Sequence, residues 1–436
     1  MATSSTVQLK VGKWLVYHRE GITAESAKQA SELLQANHER HHIFFNLSGF
    51  HNHIAHHLLT LWALKASPID LQRAFDLNQS YQRPAFTPQS NKIAELEDVG
   101  KFMRHLGPET HFPDFLIFFK QEIEKSSWQD VLQKYVFAGD ERADDMFVRM
   151  YASLLHPIIH LGFGVEFHQP VIIAEALAQA ACHQNKIAAL FLPAEKAAKE
   201  NSAPGKSIVQ LLDEIHADEK MRQAPRQADT SKLLNGILAR AGDRMIHYAS
   251  QVSVEAHDLE RKTAEMINAC ALFTGGAQKS DKHVKFDFFF IHNLNSSIFF
   301  SAFLREDWLS EASKVRLLEW KIRMDVAQYA SARSPDIRLV DIREYRPKSP
   351  SGWDQVMDRV CRFGDDGHAA KLIRALAHGE RVCKKFEDDD AFRLKGGDWL
   401  QLAHMAIDSV ELPGDTWVRM AGFDQAWGNV PLRAQL

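Results

Sequence analysis

The sequence predicts an all-α protein, a large single-domain helical bundle with long loops covering residues 1–436. Three observations predict it. Apolar residues in almost every hydrophobic stretch recur three and four positions apart, the period of a helix with one buried face. No stretch alternates apolar and polar residues as a half-buried strand does. No unit of 20–50 residues repeats, which excludes solenoids and propellers.

The elements follow in order. Residues 7–20 (V-Q-L-K-V-G-K-W-L-V-Y-H-R-E) read as a short strand or an irregular arm. Residues 24–37 form an amphipathic helix. The pattern breaks at 44–49, and Ser48 or Asn52 can cap a new helix that runs to about Ala66, where Ser67-Pro68 stops it. Further helices are predicted at 98–106, 112–124 and 130–135. Residues 144–160 read as one helix kinked by Pro157, whose ring removes a backbone hydrogen bond. Gly162 and Gly164 then loosen the chain before a helix at 170–183. Residues 185–226 are polar, include S-A-P-G-K and read as a mobile loop. The remaining helices are expected at 233–241, 254–273, 285–303, 310–331, 353–360, 367–383 and 399–409.

Bulk properties narrow the class. Hydrophobic residues make up 45% and charged residues 25%, ordinary for a globular enzyme. A net charge of −4 gives no electrostatic argument for nucleic acid or an anionic membrane as partner. No apolar run is long enough to span a bilayer, and the start M-A-T-S-S-T-V lacks the basic and apolar parts of a secretion signal. Cys182, Cys270, Cys361 and Cys383 form no C-x-x-C pair and read as reduced, buried thiols. A cytoplasmic protein is expected.

The chemistry lies in the histidines. His51, His53, His56 and His57 fall within seven residues of F-H-N-H-I-A-H-H-L-L, in a chain with 22 histidines in all. His53 and His57 are four apart, share a helical face and can grip one metal ion. His56 lies about a third of a turn away and suits a supporting or proton-moving role. The plainer alternative is a set of partly exposed histidines at a helix start. His156 and His160 repeat the spacing in L-L-H-P-I-I-H-L-G-F-G, where apolar neighbours imply burial. An unpartnered buried imidazole costs about 1–3 kcal/mol, so the pair calls for a shared partner or for separate hydrogen bonds in the core.

His38 and His42 in H-E-R-H-H match the zinc-peptidase spacing, but the preceding helix is charged and I-F-F-N leaves helical periodicity at once. His292 sits in the apolar D-F-F-F-I-H-N-L-N-S-S, as a ligand or as a core residue bonded to backbone. His368 and Lys371 share a face just after Asp365 and Asp366. A protonated lysine repels a metal, whereas a carboxylated lysine is anionic and can bind one. The plainer alternative is a solvated lysine paired with Asp365 or Asp366. There is no P-loop, G-x-S-x-G or C-x-x-C-H, and the nearest approach to a dinucleotide fingerprint, G-F-G-V-E-F, lacks its third glycine. A ligand set rich in imidazole suits Fe, Zn, Cu or Ni rather than Mg or Ca.

Longer phrases carry a resemblance. F-H-N-H-I-A-H-H-L-L-T-L-W-A-L at 50–64, Y-Q-R-P at 81–84, H-P-I-I-H-L-G-F-G-V-E-F at 156–167 and D-G-H-A-A-K-L-I-R-A-L at 366–376 resemble the questin oxidase family. E-A-L-A-Q-A-A at 175–181 and K-G-G-D-W-L at 395–400 extend it over nearly the whole chain. The resemblance implies oxidative opening of a ring in an aromatic polyketide or anthraquinone. It also implies a mononuclear non-haem Fe(II) site, with His53 or His57 or both, His156, His160 and His292 as ligands. Lys371, carboxylated, completes that set. O₂ and a small aromatic substrate are the expected partners, with Phe50, Trp62, Phe163 and Phe289 lining the pocket and His56 or His368 moving a phenolic proton. Two alternatives stand beside it: a Baeyer–Villiger-type monooxygenase using NADPH as external reductant without bound flavin, and a non-catalytic helical protein that binds zinc structurally.

Overall fold

Side-chain oxygens open many of the helices. Thr23, Ser67, Asp98, Asp140, Ser207 and Ser310 each accept a backbone N–H from the first turn of the helix they precede. The computed structural model describes residues 1–12, 14–200 and 205–433. Among the described residues its regular elements are helices, joined by loops, with four isolated β-bridges and no strand. No helix among them is long and apolar enough to cross a membrane.

The chain divides into two units. The first holds Met1–Ile187, Arg305–Leu309 and Cys361–Lys371. Its main helices are α1 (Ala24–Arg40), α2 (Ile54–Ala63), α3 (Pro68–Gln79), α4 (Phe112–Lys125), α5 (Glu141–Met150), α6 (Ala152–Glu166) and α7 (Pro170–Ala181). Helix α2 packs on α1, α3 and α6, while α7 packs on α4, α5 and α6. All ten residues of α2 are buried, so its polar side chains must find partners inside the protein. Gly164 sets the α6–α7 crossing: a Cβ there would lie 2.6 Å from Ile173 Cγ1 and 2.9 Å from Ile173 N. The glycine therefore lets two helices touch, and α6 continues through it to Glu166 instead of loosening.

The second unit holds Ala188–Leu304, Ser310–Val360 and Leu372–Leu436. Its centre is α8 (Leu259–Gly276) packed against α9 (Phe288–Leu304) and α10 (Glu311–Ser331). A fully buried ion pair, Lys321 with Asp325, lies in this core, and Asp325 also accepts from Asn293 at 2.7 Å.

Several boundaries differ from the sequence expectation for physical reasons. Residues 7–12 and 14–20 form an irregular arm held by side chains: Val7 and Leu9 donate backbone N–H groups to Gln35 and Ser31, and Val16 donates to Glu166. Helix α2 ends at Ala63, short of the expected Ala66, with Lys65 at φ 67°. Ser67-Pro68 starts α3, with Ser67 as its cap and Pro68 in its first turn, where a missing N–H costs nothing. Most of 185–226 is helical, at Ala188–Glu200, Ile208–Ala217 and Glu219–Gln223. Residues 201–204, which include S-A-P of the S-A-P-G-K stretch, lie outside the described residues. The expected kink at Pro157 is instead a break before it, where Ser153, Leu154 and Leu155 have φ of 45°, 58° and 66°.

Candidate metal centre

The histidine cluster of 51–57 straddles the start of α2. His53 is the residue before the first helical turn, with φ −96° and ψ 0°, and makes no capping hydrogen bond. Asn52 takes that role in part, its Oδ1 accepting from Ile54 N at 3.0 Å. His51, His53, His56 and His57 are all buried, which removes the alternative of solvated rings at a helix start.

His53 Nε2 lies 2.9 Å from His156 Nε2. The partners of their other nitrogens fix the tautomers. His53 Nδ1 donates to Asp366 Oδ2 at 3.0 Å, and His156 Nδ1 donates to the Ser153 carbonyl at 2.5 Å. Each neutral ring then carries its lone pair on Nε2. Two lone pairs thus meet at hydrogen-bond distance with no proton between them. That arrangement is unfavourable for the bare rings and favourable for two imidazoles sharing a cation, with their second nitrogens oriented as metal-binding histidines usually have them.

The backbone around His156 is built for this orientation. Three consecutive left-handed residues cost roughly 1–2 kcal/mol each, and two of them are leucines. Pro157 has no N–H to offer the Ser153 carbonyl four residues back, and the His156 ring takes that carbonyl. Strain of this kind persists where surrounding structure over-determines it, commonly at functional sites.

Asp366 reaches His53 because of Gly367. Its φ is +92°, and a Cβ there would lie 2.6 Å from His57 Cβ, so the loop lies against α2 only without a side chain at this position. Asp365 anchors the loop by accepting from Gly367 N and Ala369 N, and its carbonyl accepts from Asn78 Nδ2 at 3.0 Å. Asp366 Oδ1 accepts from His368 Nδ1 at 2.5 Å. His53, Asp366 and His368 together could present three donor atoms to an ion, but both imidazoles already spend an N–H on the one carboxylate. Burial pushes the Asp366 carboxyl up, and the charges and hydrogen bonds of His368 and His53 hold it well below the usual carboxylate range.

Lys371 is buried, and its Nζ has no hydrogen-bond partner. It is therefore not the solvated lysine paired with Asp365 or Asp366. Burial lowers it to about 8, against the opposing charges of Asp366 and Asp365. Burial, the Lys371 charge and His368 lower His53 to about 3, with Asp366 opposing. His51 and His56 are held well below the usual histidine value, first by burial and then by neighbouring histidines. These rings are neutral at physiological pH, the form that binds metal.

Two of the other expected ligands, His57 and His160, face other partners. His57 faces Gly367 and Asn78, with Asn78 Nδ2 3.5 Å from its Nδ1 and no hydrogen-bond partner for its buried Nε2. His160 spends one nitrogen on His56, at 2.9 Å, and the other on Glu175 Oε2, at 2.8 Å. His292 belongs to the second unit, on α9, where its Nδ1 donates to the Phe288 carbonyl at 2.6 Å. The H-E-R-H-H pair separates: α1 ends at Arg40, His38 bonds Glu175, and His42 packs among Phe44, Phe86 and Phe112. No shared zinc face results. Of the aromatic residues expected to line a pocket, Phe163 stacks on His56 at 5.0 Å, Trp62 is buried and Phe50 is half exposed.

Sequence reasoning did not single out Asp366 or Glu175 as partners of the histidines, where the structure places them. Glu175 was legible as the one acid in the apolar run P-V-I-I-A-E-A-L-A-Q-A-A. Asp366 gave a weaker signal, as one of two acids beside a glycine. His183 was also missed; its Nε2 lies 2.9 Å from His51 Nε2, and His51 stacks on His156 at 3.9 Å.

Comparison with known proteins bears on this geometry. A model of the questin oxidase-like family matches residues 50–376, the span that holds His53, His156 and Lys371. A Baeyer–Villiger oxidase of Pestalotiopsis fici is 40% identical over 415 residues, covering 93% of this chain and 94% of that protein. A Baeyer–Villiger monooxygenase of a Cryptosporiopsis species is 42% identical over 419 residues, with 93% and 94% covered. Questin oxidase of Aspergillus terreus is 38% identical over 439 residues, covering 99% of this chain and 98% of that enzyme. All three are oxidoreductases by name, and the chain belongs to the questin oxidase-like family.

Proposed function

We propose that this protein is an oxidoreductase that oxidatively opens a ring of an aromatic polyketide or anthraquinone-like substrate, at a mononuclear non-haem iron held by His53, His156 and carboxylated Lys371. The observation that carries the reading is the 2.9 Å approach of two unprotonated Nε2 atoms, those of His53 and His156. The orphaned Nζ of Lys371 supports it. A buried ammonium without an acceptor is unstable, whereas addition of the neutral amine to CO₂, with release of a proton, makes an anionic carbamate that suits a cation. Fe(II) bound by such donors supplies the redox chemistry with O₂ that ring opening needs.

The chain's own residues do the rest. Asp366 and the Ser153 carbonyl hold the two imidazoles in the tautomer that directs Nε2 inward. Burial of α2 keeps bulk water away. His56 or His368 takes the phenolic proton of the substrate. The resemblance also implies His57, His160 and His292 as ligands. Single alanine variants at those positions test that implication apart from the three residues above.

The names of the relatives favour a second reading, a Baeyer–Villiger-type monooxygenase; in that reading NADPH is the external reductant. Elemental analysis of the purified protein, with oxygen uptake on a hydroxylated anthraquinone in the presence and absence of NADPH, separates the two. Stoichiometric iron and NADPH-independent uptake support the iron reading. Full activity after chelation to a metal-free state would overturn it.

A further inference from the structure

Helix α7 carries a single carboxylate, Glu175, and buries it. Its two oxygens accept from two histidines on different helices: His160 Nε2 at 2.8 Å and His38 Nδ1 at 2.6 Å. His38 is the histidine left over from the H-E-R-H-H segment, and Glu175 opens the E-A-L-A-Q-A-A phrase. Neither has a part in the metal-holding residues above.

The protons along this chain can be placed one by one. An ionised carboxylate only accepts, so His160 must carry its proton on Nε2 and His38 its proton on Nδ1. One ring nitrogen sits within hydrogen-bond distance of each carboxylate oxygen, the pattern of an ionised carboxylate that accepts on both sides. His160 Nδ1 then carries a lone pair and lies 2.9 Å from His56 Nε2, which must donate to it. On the other side, His38 Nε2 accepts from Lys120 Nζ at 3.4 Å. Every step has one donor and one acceptor. The last atom left over is His56 Nδ1, which now holds a lone pair, is buried and has no hydrogen-bond partner.

We infer that Glu175 is a positioning residue that sets the tautomers of His38, His160 and His56 and so leaves His56 Nδ1 as the acceptor for a substrate hydroxyl proton. The inference rests on the proposed ring-opening function and deepens it, choosing His56 over His368 and naming the atom. When His56 accepts a proton it becomes an imidazolium whose Nε2–H already points toward His160 and, through it, toward the Glu175 carboxylate. A phenol or quinol fits this acceptor, since its hydroxyl must lose a proton before its ring becomes electron-rich enough to oxidise. The arrangement follows the logic of a catalytic base oriented by a buried carboxylate, with one more imidazole in line.

Glu175→Gln tests it, because the amide keeps the shape of the side chain and offers one acceptor where the carboxylate offers two. At least one imidazole must then change tautomer. With a hydroxylated anthraquinone as substrate, kcat per bound iron should fall about a hundredfold, with KM and iron content within about twofold of wild type. Long-range ¹H–¹⁵N spectra of histidine-labelled, metal-free protein read the tautomers without turnover, with peaks assigned by their loss in His56→Gln and His160→Gln. Wild type should show protons on Nε2 of both His56 and His160, and Glu175→Gln should move at least one proton in the chain. Wild-type kcat per iron in Glu175→Gln, or a wild-type His56 protonated on Nδ1, overturns the inference. So does a loss of iron in place of a loss of kcat, which would make Glu175 a support of the metal residues. The tautomer readout stands even if the iron reading fails, so the two failures are distinguishable.

Discussion

The two His-x-x-x-His pairs of the first unit have the same spacing and divide their members in the same way. In each, the first histidine (His53 or His156) turns a lone pair toward the other pair, and the second (His57 or His160) turns away. In each, the first histidine also sits where helical geometry fails. His53 precedes the first turn of α2, and His156 follows three left-handed residues. A residue inside a regular helix has its ring direction set by the helix axis. A residue at its broken start can be turned by outside partners, here Asp366 and the Ser153 carbonyl. Spacing four apart brings two imidazoles to one face, and neighbours decide whether both use it.

The largest effect expected from this asymmetry is on metal. His53→Ala and His156→Ala should each abolish bound iron and turnover, measured by elemental analysis and oxygen uptake. Retention of stoichiometric iron by either variant breaks the proposed pairing.

Most helices were legible because a 3.6-residue period survives in one face of nearly every element. The fold class and the histidine density carried the candidate site as far as two pairs and a lysine. Three things were not legible. Pro68 reads as a stop when the preceding helix is considered and as a start when the following one is, so α3 went unseen. The break at 153–155 has no glycine or proline at its own positions; it shows only once the His156 ring has a carbonyl to reach. Asp366 is more than 300 residues from His53, and only the folded chain brings a carboxylate to that imidazole.

The next effect tests how the loop at Gly367 is seated. Gly367→Ala must accommodate both a positive φ and a methyl 2.6 Å from His57 Cβ. A loss of about 3 kcal/mol in denaturant unfolding is expected, from backbone strain and overpacking together. Iron content should fall with it, since the loop carries Asp366. Asp366→Asn is milder. It keeps the shape but removes the charged acceptor shared by His53 and His368, and should weaken metal affinity about 10- to 100-fold. An unchanged affinity would mean that the His53 tautomer is held by something else.

Acid provides a graded test of the buried, neutral rings. His53 is lowered to about 3, so folding disfavours a proton that the unfolded chain binds below about 6.5. Stability of the metal-free protein should therefore be level between about pH 7 and 8 and fall as pH drops from 6.5 toward 3. Above about 8 it should rise, because the unfolded chain still holds the proton that buried Lys371 has lost. Glu175, lowered to about 2, adds a loss of its own between about 4.5 and 2. Glu175→Gln should remove the second part of the fall and leave the first, as thermal unfolding measured at successive pH values would read.

The smallest effect is expected at His57, and it sharpens the comparison most. A ligand cannot be replaced by leucine, but an imidazole with an unsatisfied buried nitrogen can. His57 Nε2 has no hydrogen-bond partner, and Asn78 Nδ2 stands 3.5 Å from its Nδ1. Removing a buried polar atom that is already unsatisfied recovers the cost of having desolvated it, about 1–3 kcal/mol, offset by imperfect packing of the new side chain. His57→Leu should thus leave iron content and turnover at wild-type levels and change unfolding stability by about 1 kcal/mol or less in either direction. If His57→Leu instead empties the protein of iron while His53→Ala does not, the partners that turn His53 inward are not what selects the ligand. The regular helical position would then be the one that binds, and the division within the two pairs would have to be drawn the other way.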